Sequence, residues 1–396
     1  MQIVMSGRRS SSVRHNLESV EAIEGPLTRL DLLLFQTRFD EGDNVLLLTN
    51  DDVEQALTMA DCVDVLHRFF KEDGKGQVLT RQRTESWLPH LTTDTFYQCK
   101  TMEGGVPYIG KYVIRIDSNV TRKRQQGQSS RVEHVPFGKE SWMGMLLVFF
   151  TETGELLGWM PDGYLQRTRV GALYALAADY LARPDAEEVG LIGSGWQAGG
   201  QILGLQCVRN IKKVRVFSSN AERRGLFADE LQASLGIEVC SVGAARDVFA
   251  KADIVALATN ANEKVMDSLW IEPGQHLSSV RFLELDPRSY DHCDRVVVNR
   301  AEPWIQNYHL GELCPQDVKN AKLPPAPPGA IEASDFFRQQ IKRTKAREKT
   351  LFPNEASNYQ LGGQFAAVAG FVLDRARKKG LGRDLPSEWF AQTLLP

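Results

Sequence analysis

The chain has 396 residues, 42% of them hydrophobic and 24% charged, with a formal net charge of −3. That length accommodates two domains with separate cores, and the near-neutral balance sets up no global field toward nucleic acid or an anionic membrane. Six cysteines without a C-x-x-C pair argue against a disulfide framework or structural zinc, so no metal site is expected. The longest apolar stretch, residues 143–150, is far shorter than a membrane span, and no apolar run follows the charged N-terminus as in a secretory signal. A cytoplasmic protein with no membrane or nucleic-acid partner is the expectation.

Residues 1–44 carry no periodicity and read as an N-terminal extension. Val45 to Leu48 is strand-like, and Thr49 to Asp52 has the capping pattern that opens a helix. Val53, Ala56, Leu57, Ala60, Val63, Leu66 and Phe70 recur at helical spacing, predicting one or two helices with a buried face. Short strands and turns follow from Gly76 to about Thr153, then a helix over 164–182 that Arg183-Pro184 terminates.

From Val189 the pattern alternates: strands at 189–192, 213–218, 237–240 and 253–258, with helices after the first, over 221–235 and over 244–251. Further strands are expected at 276–280 and 295–298. Strands separated by helices mean βαβ units and a parallel sheet. A proline run, 324–328, then precedes a last helix at about 365–379.

The first βα turn reads Gly193-Ser194-Gly195-Trp196-Gln197-Ala198, a G-x-G-x-x-A fingerprint. Gly193 permits the tight turn, Gly195 lets backbone approach a pyrophosphate, and Ala198 allows close helix–strand packing. With the strand before it and the helix after it, the motif predicts dinucleotide binding at the helix N-terminus. The second strand ends in Ser218-Ser219-Asn220, followed by Arg223 and Arg224, with no acid to grip a ribose 2′-hydroxyl. NADP(H) is therefore favoured, with NAD(H) possible. Thr259 and Asn260, at the end of the fourth strand, complete the expected cofactor contacts.

The run Asp162-Gly163-Tyr164-Leu165…Arg169-Val170-Gly171-Ala172…Tyr180-Leu181-Ala182-Arg183-Pro184, leading into the fingerprint and Gln197, resembles the ornithine cyclodeaminase/mu-crystallin family. Asp267-Ser268-Leu269-Trp270-Ile271-Glu272-Pro273-Gly274 is similar to a further family segment. The resemblance spans about residues 45–314 and, weakly, the last helix. It implies a Rossmann NAD(P)-binding domain (183–323) inserted in an α+β substrate-binding and dimerisation domain (45–182 plus 330–396), and a homodimer. It also implies a small amino or imino acid substrate, with Arg83 and Arg169 binding its carboxylate. Lys111 would bind substrate and transfer a proton.

Two positions depart from the family. Its threonine after the arginine is Val170 here, and its acid/base aspartate falls in a loop that is shortened to Val280-Arg281-Phe282-Leu283-Glu284-Leu285-Asp286. Losing that aspartate disfavours amine-eliminating cyclisation unless Glu284 or Asp286 substitutes. The expectation is thus an NAD(P)(H)-dependent oxidoreductase on a C–N bond. The alternatives are a cyclodeaminase-type lyase that recycles its cofactor and a non-catalytic, crystallin-like NADP(H)-binding protein.

Overall fold

A computed structural model describes residues 44–396 apart from 92–93, 127–128, 139–140, 262, 300–305, 310–327, 344, 354–360 and 393–396. The extension before residue 44 and most of the proline run lie outside the described residues. The first half folds as β1 (Asn44–Leu47), α1 (Asn50–Ala56), α2 (Met59–Asp73), β2 (Leu79–Thr80), β3 (Thr84–Pro89), β4 (Thr95–Val106), β5 (Lys111–Gln126), β6 (Ser129–Val135), β7 (Met143–Phe150), β8 (Leu156–Pro161) and α3 (Gly163–Leu181). It continues through β9 (Glu188–Ile192), α4 (Trp196–Val208), β10 (Lys213–Phe217), α5 (Ala221–Leu235), β11 (Glu238–Ser241), β12 (Ile254–Leu257) and β13 (His276–Ser279). The last part comprises α6 (Ser289–His292), β14 (Arg295–Val298), β15 (Gln306–His309), β16 (Ile331–Glu332), α7 (Ala333–Gln339), β17 (Thr350–Pro353), α8 (Leu361–Lys379) and β18 (Arg383–Pro386).

The elements form two sheets. The first runs β15-β3-β4-β5-β7-β8-β1-β18, with β2 and β6 attached to β4 and β5. Its spine is the antiparallel β4–β5 pair, in register from Thr95↔Arg122 to Val106↔Lys111. Alternation along β5 sends Lys111, Val113 and Arg115 to a buried face and leaves Tyr112, Ile114 and Ile116 half-buried on the other. Helix α8, buried from Leu361 to Asp374, lies against the inner face. Both early helices open with complete capping boxes, Thr49 with Asp52 and Thr58 with Asp61, as the Thr49 pattern predicts for the first.

The second sheet is parallel throughout, in the order β11-β10-β9-β12-β13-β17-β14-β16. Apolar side chains fill both faces: Val189, Leu191, Val214 and Ile254 on one, Val255, Leu257, Leu277 and Leu351 on the other. Such strands read as continuous apolar runs, which is why this region was legible. Strand order reverses between β9 and β12, the switch point at which open α/β sheets bind ligands.

Three expectations change, the first being that β15, expected within the Rossmann domain (183–323), pairs with β3 at the edge of the first sheet. The helix expected over 244–251 is a single 3₁₀ turn, Ala245–Val248. The segment after residue 330, expected wholly with the first layer, instead sends β16 and β17 into the second sheet, while α8 and β18 join the first. β17 is four buried residues ending in proline, too short for periodicity to reveal.

Helix α3 connects the sheets. A Cβ on Gly171 would sit 2.3 Å from the carbonyl oxygen of Gly200, so α3 and α4 touch backbone to backbone. The Tyr174 hydroxyl donates to the Ser279 carbonyl at 2.7 Å, tying α3 to the end of β13. Among the described residues no helix is long and apolar enough to cross a membrane.

Candidate active site

The cofactor end is built at the switch point. Gly193 takes a φ of +127°, and a Cβ there would stand 2.2 Å from the Ala258 carbonyl oxygen. Only glycine fits this turn. Gly195 has nothing within 4 Å of its Cβ position, so open space lies over it. It is also the N-cap of α4 and makes no side-chain capping bond. The first amides of α4 therefore face that space without a side-chain partner, a ready anion site. Trp196 lies at its edge under the Arg167 guanidinium, 4.4 Å from the ring centroid.

The end of β10 completes this region. Ser194 Oγ donates to Ser218 Oγ at 3.0 Å, fixing the two loops against each other. The Asn220 side chain caps α5, accepting from the Arg223 amide at 2.9 Å. Arg224, rather than Arg223, folds back over the strand end: it stacks on Phe217 at 5.3 Å and its Nε donates to Ser241 Oγ at 3.3 Å. Ser219 stands between them, exposed. Uncapped amides, a glycine turn and hydroxyls with a guanidinium fit a dinucleotide's pyrophosphate and ribose.

The opposite lip is held by Glu284. Its buried carboxylate accepts from the Thr259 amide, the Arg281 amide (2.9 Å) and Ser279 Oγ (3.2 Å). Burial raises its pKa, against the pull of those donors. The Arg281 side chain donates to the Asn260 carbonyl at 2.8 Å, and the Ala261 amide donates to Thr259 Oγ1 at 3.2 Å. Asp286 bonds Arg288 at 2.7 Å, and this guanidinium holds its carboxyl below the usual carboxylate range. Both acids are occupied in fixing backbone.

The inner face of the first sheet carries a buried cationic cluster. Arg169, on α3, donates from Nη1 to Gln364 Oε1 at 3.3 Å and lies over the Phe365 ring at 5.1 Å. Arg115 lies over the same ring at 5.0 Å. Its Nε donates to Asp162 Oδ2 at 2.7 Å and its Nη2 to Gln166 Oε1 at 3.2 Å, with Asp117 at 3.4 Å. Burial, then repulsion from Arg115, lowers the Arg169 pKa to about 10. Arg83 is half-buried, pairs with Glu85 and is likewise lowered to about 10 by burial and Arg115. Lys100 reaches Asp117 at 3.7 Å; burial first, and Arg83 next, bring it to about 8. Burial pushes Asp117 up, but Lys100 and Arg115 outweigh it and hold the carboxyl low.

Arg83 and Arg169 thus belong to one cluster, bridged by Arg115. The described contacts of Lys111 lie further along the same face. Its ammonium is 3.6 Å from Asp374 and 5.4 Å from the Phe150 centroid, on the last turns of α8. Gln364, which Arg169 bonds, lies ten residues earlier, about 15 Å along that helix. Sequence reasoning missed Arg115, Lys100 and Gln364. The available signal was a strand whose charged residues, Lys111, Arg115 and Asp117, share one face with Val113.

A parallel sheet with an open, glycine-turned helix N-terminus at its switch point, beside a buried guanidinium cluster, defines a nicotinamide dinucleotide-binding enzyme fold. The chain belongs to the ornithine cyclodeaminase/mu-crystallin family, whose model matches residues 44–282. It is 27% identical over 263 residues to a Delta(1)-pyrroline-2-carboxylate reductase of Bacillus cereus, covering 63% of this chain and 76% of the relative. The ketimine reductase mu-crystallin of Rattus norvegicus is 26% identical over 151 residues, covering 38% and 47%. Among solved structures, the Thermococcus litoralis Delta(1)-pyrroline-2-carboxylate reductase in complex with NADH and L-proline superposes with a TM-score of 0.68 at 26% identity. That match covers 86% of this chain and all of the other. An archaeal alanine dehydrogenase dimer with bound NAD shares the fold at a TM-score of 0.66 and 21% identity, covering 86% and 99%.

Proposed function

We propose that the chain reduces the C=N bond of a small imino acid with NADPH as hydride source. It is an NAD(P)(H)-dependent oxidoreductase acting on a C–N bond of a small amino or imino acid. The observation that carries the substrate reading is the pair of buried guanidiniums, Arg115 and Arg169, sharing the Phe365 ring. Buried cations crowded against one another are held at a cost that a bound carboxylate relieves.

When bound, the reduced nicotinamide supplies hydride. The amides at the start of α4 hold the pyrophosphate, and Arg169, steadied by Gln364, grips the carboxylate beside the reacting carbon. Arg115 and Arg83 support that grip from the sheet. The catalytic role of Lys111 rests on the family resemblance; its placement beside Asp374 favours a positioning role, holding α8 against β5. An iminium needs only hydride, whereas elimination of an amine needs a base near the reacting carbon. Glu284 and Asp286 are committed to backbone and guanidinium donors, which favours reduction over cyclodeamination.

NADPH is preferred to NADH in this reading, because Ser218, Ser219 and the arginines after Asn220 offer donors where an acid would repel a 2′-phosphate. A homodimer is proposed from the outer face of the first sheet, where Ile114, Ile116, Met145, Leu147 and Trp159 form an apolar surface that α8 does not cover. Loss of absorbance at the nicotinamide band with Δ1-pyrroline-2-carboxylate tests the activity, with severalfold tighter NADPH binding expected. Proline formed from L-ornithine with catalytic NAD⁺ would overturn the reductase assignment.

A further inference from the structure

We propose that Arg167 binds the pyrophosphate of the dinucleotide, a contact supplied by α3 from outside the glycine turn. This rests on the dinucleotide part of the reading above and adds a residue to the same site. Helix packing places the side chain. A Cβ on Gly171 would meet Gly200, and one on Gly204 would stand 2.4 Å from the Gly171 carbonyl oxygen and 3.2 Å from the Ala175 Cβ, so α3 and α4 run side by side in one direction. Arg167, one turn before Gly171, is therefore level with the first turn of α4. Gly199 and Gly200 leave the groove it occupies: Cβ atoms there would stand 2.9 Å from Arg167 Nη2 and 3.0 Å from its Cγ. Its guanidinium stacks on Trp196, the residue after Gly195.

Charge makes that position costly for an arginine alone. The N-terminal end of a helix carries partial positive charge and disfavours a cation. Arg167 sits early in α3 and beside the start of α4, and neither first turn holds an acid. Asp162, just ahead of α3, is taken by Arg115. Among the described residues Arg167 makes no ion pair or hydrogen bond, and its Nε is buried without a partner. An anion in the open space over Gly195 relieves both the guanidinium and the two helix ends.

The substrate carboxylate is not that anion. Arg169, two residues on, lies about 200° further round α3. It faces Gln364 and Phe365, whereas Arg167 faces Trp196. One helix presents one guanidinium to the carboxylate and a second to the phosphates.

The test is calorimetric titration of the full chain with NADH and with NADPH, both without imino acid. Arg167→Met keeps the packing over Trp196 and removes one charge-assisted contact, so it should weaken both dinucleotides equally, by about tenfold or more. Arg167→Lys, which keeps the charge and loses the planar fork, should fall between. The ligand-free Arg167→Met chain should melt no lower than the unaltered one, since it loses a cation from two positive helix ends. Unchanged affinities overturn the proposal. So does a loss confined to NADPH, which would put Arg167 on the 2′-phosphate, or a lowered melting temperature without ligand, which would make it structural. A chain that loses dinucleotide affinity as expected yet reduces no imine keeps Arg167 on the phosphates and overturns the reductase reading alone.

Discussion

Gly193 and Gly195 sit two residues apart in one turn, yet substitution should harm the protein in different ways. Gly193→Ala places a methyl against the Ala258 carbonyl at a φ that L residues rarely adopt. It should cost about 1–3 kcal/mol of stability and lower the melting temperature. Gly195→Val meets nothing in the protein, so the fold should survive while the methyls fill the space over the α4 amides. Its melting temperature should be unchanged and its NADPH binding, followed by fluorescence, should vanish. Normal binding by Gly195→Val would make the turn structural only. Lys111 admits a similar separation. If it acts by pairing with Asp374, Lys111→Met should destabilise the chain, and adding Asp374→Leu should restore both melting temperature and imine reduction. A double variant that is stable but inactive would return Lys111 to the chemistry.

Helix packing carries its own pH dependence. His67 on α2 bonds the Tyr180 hydroxyl of α3 at 2.8 Å, and burial lowers its pKa to about 4. His276 in β13, bonded to Thr350 of β17 at 2.9 Å, is lowered by burial to about 3. An unfolded histidine titrates near 6.5, so on acidification the unfolded chain takes up protons first. Both contributions are whole above about pH 6.5 and are lost as pH falls toward 4 and then 3. The melting temperature should decline over that window, and His67→Gln should flatten its upper part; an unchanged slope would refute the neutral-histidine account. The alternation from Val189 to Ala258 was legible because both faces of those strands are apolar. The cluster on β4 and β5 was not, since Lys100, Arg115 and Asp117 have the hydropathy of surface residues and point inward. Arg83 and Arg169 were found through resemblance, and nothing in their spacing links them to Arg115. β17 escaped because four buried residues carry too short a period.

For the molecule as a whole, the first sheet has one face covered by α8 and one that, among the described residues, no helix covers. Leu147 faces Ile114 on one side and Trp159 on the other, and Met145 stands opposite Ile116. Light scattering on a sizing column should report a dimer, and Leu147→Glu with Ile116→Glu should yield a folded monomer; a dimer that tolerates both charges would place the interface elsewhere. The position of β17 has a consequence for biosynthesis. It enters between β13 and β14, strands made more than fifty residues before it, while β18 closes the far edge of the first sheet against β1. On the ribosome neither sheet can be completed when its other strands have emerged. Each waits with an open apolar seam for residues 350–386. Until those residues emerge the nascent chain exposes apolar surface of the kind chaperones bind, and one cut short at about residue 345 holds two unfinished sheets rather than one finished domain.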